Sequence, residues 1–216
     1  MTAMNAFLSP QAVHIATDGA AYSPDGRTVC SVQKVAILPQ LPCVIATRGA
    51  TCLLGLAYES AERSASFDEL AARVGSFCRG VARAYQAQAE AYGEPVAFER
   101  ANFIVAGWSE ERQRLETYAV TSHDDGELRA WTPSLFVGSD ALVSPLNAEI
   151  SLALDAIEAE LGDLAEQPEI SAVRVMEAQR AIRVEGFRDA PAGVFCQLTT
   201  LTRAAITTRV LKRWPS

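Results

Sequence analysis

The chain has 216 residues, 49% of them apolar and 21% charged, which are the proportions of a soluble globular protein long enough for one sizeable core. Its formal charge is −7, with no Lys/Arg cluster or basic stripe, which argues against nucleic acid as the main partner. No apolar run reaches the roughly 18 residues needed to cross a bilayer, and Met1 to Ala16 carries neither a basic residue nor a sustained apolar stretch, so no membrane span and no secretory signal are expected.

The first 50 residues read as strands. Ala12 to Thr17 is a short apolar run, and Tyr22-Ser23-Pro24-Asp25-Gly26 is a turn signal. Thr28 to Leu38 and Pro42 to Thr47 are rich in Val and Ile, with Pro39 and Pro42 marking the turn between them. Two helices follow, the first over Ala50 to Arg63. The second begins at Ser66, with Glu69 three residues on as a capping box. Its apolar residues Leu70, Val74, Phe77, Val81 and Tyr85 recur in steps of 3 and 4, on one face, until Gly93 and Pro95 end it. Strands return at Phe103 to Trp108 and Arg114 to Thr121, a hairpin around the polar turn Ser109 to Gln113. Further strands are expected at Leu128 to Trp131 and Leu135 to Val137. Helical spacing resumes at Ile150, Leu154, Ile157, Leu161 and Leu164, another helix is expected over Ser171 to Val184, and the chain closes with strands at Val194 to Leu201 and Ala204 to Leu211.

The order is strands, two helices, strands, two helices, strands. An α+β fold of a single domain over 1–216 satisfies it as a four-layer α-β-β-α sandwich, with each sheet covered by helices on one face and by the other sheet on its second face. Separate α+β lobes satisfy the same order. The five cysteines, Cys30, Cys43, Cys52, Cys78 and Cys196, are odd in number and form no C-x-x-C pair, so neither a disulfide framework nor a zinc site is expected. Most lie in apolar stretches and read as buried free thiols, which fits a cytoplasmic chain with no metal or cofactor. The two histidines, His14 and His123, are far apart and have no motif around them; His14 and Cys30 read as core.

One constellation near the N-terminus carries chemistry. Thr2 follows Met1, and its small side chain makes Met1 a substrate for methionine aminopeptidase, whose action leaves a free α-amino group and a hydroxyl on one residue. Asp18 stands 16 positions after Thr2 (18 − 2) and Lys34 stands 32 after it (34 − 2). Thr17-Asp18-Gly19 ends a strand, Val32-Gln33-Lys34-Val35 opens another, and Ile45-Ala46-Thr47-Arg48-Gly49-Ala50 runs toward a helix. Phe136-Val137-Gly138-Ser139-Asp140 and Arg188-Asp189-Ala190-Pro191-Ala192-Gly193 follow downstream. Taken together, these residues resemble the proteasome β-subunit and HslV family of N-terminal-nucleophile (Ntn) hydrolases. The family's Thr, Asp and Lys stand at the same two separations. The downstream segments resemble its G-S-G and D-x-x-S-G segments.

The resemblance implies a threonine peptidase needing no cofactor. A Thr hydroxyl is a poor nucleophile at neutral pH and needs an adjacent base. A free α-amino group, with a reference pKa of about 8, can take its proton directly or through one water. Lys34 would favour the neutral amine and stabilise the developing alkoxide, and Asp18 would hold Lys34. The resemblance also implies the Gly49 amide as oxyanion donor, Ser139 and Asp189 as hydrogen-bonding partners of the Thr2 amine, and Val32, Ala36, Thr47 and Thr51 as the lining of a substrate pocket. It further implies peptide or unfolded-protein substrates, assembly into a homo-oligomer (a ring in the family) and service by an ATPase. Ala192 departs from the pattern where a Ser is expected, and Asp140 replaces the second Gly of G-S-G. These departures leave two other readings open: a catalytically silent structural or assembly subunit, and an Ntn amidase acting on a small molecule.

Overall fold

The computed structural model describes residues 3–23, 25–93, 100–183, 189–190 and 192–215. The sequence-predicted features that fall on Thr2, Pro24, Pro95, Val184, Arg188 and Pro191 lie outside the described residues. The chain is mixed α and β, and it divides into two compact units, one made of 1–34, 138–200 and 207–216 and the other of 35–137 and 201–206.

The first unit is built on a five-stranded sheet. Its strands are β1 (Met4–Leu8), β2 (Ala12–Asp18), β10 (Asp140–Ser144), β11 (Phe195–Thr202) and β12 (Ile206–Arg213), in the order β10-β1-β2-β11-β12. β1 pairs antiparallel with both neighbours, Met4 opposite Thr17 on one side and Ser144 on the other. A two-stranded ribbon, β3 (Ala20–Tyr22) and β4 (Thr28–Ser31), follows directly on β2. Helices α4 (Ala148–Leu161) and α5 (Pro168–Ala181) pack on the sheet. Phe7 and Ala16 meet Ile157, Ala172, Val175 and Met176 in one buried cluster, with Leu154 and Leu161 packed against it. The helical spacing read from Ile150 to Leu164 is therefore the core-facing stripe of α4 and the turn beyond it. Asn147 caps α4 by accepting the Ile150 amide at 2.9 Å, and Gly162, at φ 77°, ends it.

The second unit has a sheet of β5 (Val35–Leu38), β6 (Cys43–Arg48), β7 (Asn102–Ser109), β8 (Arg114–Thr121) and β9 (Ser134–Phe136), in the order β5-β6-β7-β8-β9, with each neighbouring pair antiparallel. Helices α1 (Leu53–Ala61), α2 (Phe67–Ala72) and α3 (Val74–Ala91) cover it through Leu53, Phe67, Leu70, Val74, Phe77 and Val81, packed on Ile45, Phe103 and Val105. The capping box at Ser66 is present: Ser66 Oγ accepts the Glu69 amide at 3.1 Å, and Glu69 reaches back to the Ala65 amide at 2.7 Å.

Several boundaries differ from the sequence reading. The apolar run Thr28 to Leu38 is not one strand. It breaks at 32–34, so that β4 and β5 belong to different sheets. The long second helix is two, because the Arg73 backbone (φ −120°, ψ 15°) leaves the helical region and its amide turns back to Leu70. Leu128 to Trp131 is not a strand. Its polar groups are met locally, the Ala130 amide by Asp124 and the Trp131 amide by Thr121. Cys43, Cys78 and Cys196 are buried as expected, but Cys30 and Cys52 are exposed. Cys30 lies on β4, whose residues are exposed or half-buried, so an apolar composition there does not signal core. Among the described residues, no helix is long and apolar enough to cross a membrane.

Candidate active site around Asp18 and Lys34

β2 ends at Asp18 and the chain turns at Gly19 into β3. The close approach at this turn requires glycine, because a Cβ on Gly19 would lie 2.2 Å from the Phe195 ring. The Gly19 amide donates to the carbonyls of Gly193 and Phe195, each at 3.1 Å, which seats the 192–195 segment beside Asp18.

The Asp18 side chain is fully buried, and among the described residues four donors reach it at hydrogen-bond distance. Oδ1 accepts the Ala3 amide at 2.9 Å and the Lys34 ammonium at 2.6 Å. Oδ2 accepts the Ala20 amide at 3.0 Å and the Gly193 amide at 3.1 Å. Three separate stretches of backbone thus converge on one carboxylate, and Ala3 is the chain neighbour of Thr2. Lys34 itself is buried, and its ammonium lies 5.9 Å from the centre of the Tyr22 ring, within cation–π reach. Tyr22 donates its hydroxyl to the Ala190 carbonyl at 2.8 Å. Burial first, and then the Asp18 carboxylate, push the Tyr22 phenol far above its ordinary value, so it stays a neutral donor.

The structure thus brings Asp18 and Lys34 into direct contact. Val32, two residues before Lys34, is half-buried, and its amide donates to the Gly19 carbonyl at 2.9 Å. Asp189 ties down the β3–β4 turn: its Oδ2 accepts the Thr28 amide at 2.6 Å and its own amide donates to Gly26. Ser139 is exposed, one residue before β10. Gly49, Ala36, Thr47 and Thr51 belong to the second unit. Gly49 does not stand directly before a helix, as the start expected at Ala50 implied. At φ 135° it lies outside helical conformation, and α1 starts at Leu53. A Cβ there would meet Leu53 at 2.9 Å and the Arg100 carbonyl at 3.0 Å, so its place requires glycine. Ala36 and Thr47 are buried and Thr51 is exposed. The amides of Ala3, Ala20 and Gly193 and the Tyr22 ring escaped the sequence reading. Only Gly193, inside the D-x-x-S-G-like segment, carried a signal.

His14 accords with its reading as core. It is buried on β2, with Nδ1 3.0 Å from Thr200 Oγ1, and burial lowers its pKa. A second charged cluster lies in the other unit. The Glu116 carboxylate, with no exposed surface, accepts from Arg112 at 2.7 and 3.0 Å, from Arg114 at 2.9 Å and from Tyr118 at 2.8 Å. Burial opposes its ionisation, but hydrogen bonds from Arg112, Tyr118 and Arg114 outweigh burial and hold its pKa below the ordinary value. Among the described residues, no group of three or more His, Cys, Asp or Glu could hold a metal.

The fold is shared with solved structures of Anbu. Two solved structures show it: a Gly-1 mutant of Anbu from Hyphomicrobium sp. strain MC1, at 14% identity and a TM-score of 0.65 over 98% of this chain and 87% of that one, and Anbu (ancestral beta-subunit) from Yersinia bercovieri, at 10% identity and a TM-score of 0.66 over 97% and 87%. No protein-family model matches the sequence, and no curated protein matches it.

Proposed function

We propose that this chain is an N-terminal threonine hydrolase, a peptidase of the proteasome-like class, with Thr2 as nucleophile once Met1 is removed. The observation that carries the reading is the buried Lys34–Asp18 pair, whose carboxylate also takes the amide of Ala3, the residue next to Thr2. In this reading Thr2 Oγ attacks the scissile carbonyl while its α-amino group takes the hydroxyl proton. The amine then passes that proton to the departing amine, leaving an ester on Thr2, which water cleaves to release the acid and restore the hydroxyl. Lys34 lowers the cost of the developing alkoxide, and the Gly49 amide serves the oxyanion. Ser139 and Asp189 orient the Thr2 amine. Val32, Ala36, Thr47 and Thr51 line the pocket for a peptide or unfolded protein. With this reading go a single Ntn domain arranged as a four-layer α-β-β-α sandwich, a cytoplasmic location, a homo-oligomer and an ATPase partner.

Intact mass of the untagged protein, before and after a peptide epoxyketone, tests it. That warhead bridges a hydroxyl and an amine on one N-terminal residue. Loss of Met1 with an adduct on Thr2, absent in Thr2→Ala, is the expected result. Retained Met1 with no adduct would refute the enzymatic reading and leave a silent assembly subunit. Modification of a protein that is a monomer or dimer in solution would favour an amidase acting on a small molecule.

A further inference from the structure

One cation lies just behind the loop that closes on Asp18. Arg180 is in the last turn of α5, and its guanidinium donates to the Ala192 carbonyl. The same guanidinium lies 4.6 Å from the centre of the Trp214 ring, which fixes it from the other side. Trp214 in turn donates its amide to Val194, so the chain beyond β12 and the 192–194 loop close around Arg180 together.

The geometry that matters is that of a single peptide unit. The Ala192 carbonyl and the Gly193 N–H belong to the same planar group, and in a trans peptide the two point in opposite directions. One end meets Arg180; the other donates to Asp18 Oδ2 at 3.1 Å. A cation on the oxygen side and an anion on the hydrogen side polarise this peptide in the same sense, and each bond strengthens the other. The loop has little room to adopt another pose. Ala192 is fully buried, and a Cβ on Gly193 would meet the Ala20 Cβ at 3.1 Å and the Tyr22 hydroxyl at 3.3 Å. Tyr22 holds Ala190, just upstream, by its own hydrogen bond.

We infer that Arg180 is a positioning residue for the Asp18–Lys34 pair, acting through the Ala192–Gly193 peptide. Its direct partners among the described residues are the Ala192 carbonyl and the Trp214 ring, not Asp18 or Lys34. Its part is to hold the Gly193 amide on Asp18 Oδ2, so that Oδ1 stays directed at Lys34 and Ala3. The inference about catalysis rests on the threonine-hydrolase reading above; the structural link from Arg180 to Asp18 does not.

Two measurements on Arg180→Gln and Arg180→Lys, with Arg174→Gln on the same helix as control, separate the two claims. The first is the exchange rate of the Gly193 amide by NMR. The second is the rate of Thr2 modification by a peptide epoxyketone. Arg180→Gln should speed Gly193 exchange and slow modification, each by on the order of tenfold, the equivalent of one lost hydrogen bond. Arg180→Lys, which keeps a cation, should restore both to within about threefold, as a loss of mere side-chain packing would not be restored. Arg174→Gln should change neither. Unchanged Gly193 exchange in Arg180→Gln would overturn the proposal, and so would a uniform rise in exchange along α5 that Arg180→Lys shares. If wild-type Thr2 is never modified but Gly193 exchange responds as stated, the positioning of Asp18 stands and the hydrolase reading falls.

Discussion

Replacing Lys34 by methionine removes the ammonium while keeping most of the side-chain volume. Lys34 Nζ and Asp18 Oδ1 lie 2.6 Å apart, with side-chain exposures of 7% and 0%, so solvent does little to screen the pair. Removing one partner of such a pair costs about 3–5 kcal/mol, because the remaining charge is left uncompensated. Asp18 retains the amides of Ala3, Ala20 and Gly193. Three good donors place the loss toward the lower end, about 3 kcal/mol. At about 2–4 °C per kcal/mol for a chain of this size, Tm should fall by about 6–12 °C. Asp18→Asn is damaging in a different way, since its amide nitrogen must face at least one backbone N–H. Combined with Lys34→Met it no longer leaves a buried charge. Urea titrations of the two single variants and the double variant should therefore give a coupling energy of about 1–3 kcal/mol, with the double variant less damaged than the two losses added together. Additivity within about 0.5 kcal/mol, or a Lys34→Met loss below about 1 kcal/mol, as expected of an exposed pair, would refute a buried, directly bonded pair.

Three further outcomes follow from the same structure. Maleimide on the native protein should modify the exposed Cys30 and Cys52 and leave Cys43, Cys78 and Cys196 unreacted, since burial pushes the Cys196 thiol up to about 12 and those of Cys43 and Cys78 higher still; peptide mapping reads the sites, and rapid modification of Cys78 would contradict the α3 packing. Gly19→Ala forces a methyl into the Phe195 ring and should cost about 1–3 kcal/mol as overpacking, read by urea midpoint, whereas an unchanged midpoint would show that the β2–β3 turn is not held against Phe195. Glu116, whose folded pKa is depressed, contributes stability that is fully present above its unfolded pKa of about 4.3 and is lost as pH falls through the lower folded value. Glu116→Gln should thus be less stable than wild type at pH 7 and lose less on acidification; parallel acid curves for the two would exclude this role.

Much of the architecture was legible because it rests on local pattern. The faces of α3 and α4, the Ser66 cap and the β7–β8 hairpin are repeats or end signals within a few residues of chain. The meeting of Asp18 with Lys34 was legible from two separations and a resemblance, although nothing in the strand pattern required it. What escaped was long-range. An apolar run does not say whether it will be split between two sheets, and 28–38 was split where Lys34 turns in toward Asp18. Cys30 sits beside Val29 and Val32 in a run that reads as strand like that of Cys43, yet β4 is exposed or half-buried along its length while β6 is buried over most of its own. The amide donors of Ala20 and Gly193 have no side-chain signature at all, since any residue brings a backbone N–H to such a place.

The buried pair has a structural explanation to weigh against the catalytic one. Asp18 gathers the ends of β1 and β2, the start of β3 and the 193 loop, and an anion placed to do that needs a nearby cation. On this account Lys34 is a counter-ion, and any cation of suitable reach should serve. Yet buried pairs can often be exchanged for apolar groups at little cost, so stability alone gives a weak reason for keeping one. Lys34→Arg separates the accounts. Arginine keeps the charge and can hold a carboxylate by two bonds, but it spreads that charge over a planar fork rather than presenting a compact ammonium. A counter-ion role predicts that Lys34→Arg loses no more than about 1–3 kcal/mol from overpacking and that Thr2 is modified at the wild-type rate. A catalytic role predicts similar stability with modification slowed by at least about a hundredfold, equivalent to about 2.7 kcal/mol of lost alkoxide stabilisation. Epoxyketone kinetics beside urea midpoints read both quantities on the same variant, and wild-type kinetics in Lys34→Arg would leave Lys34 as a counter-ion alone.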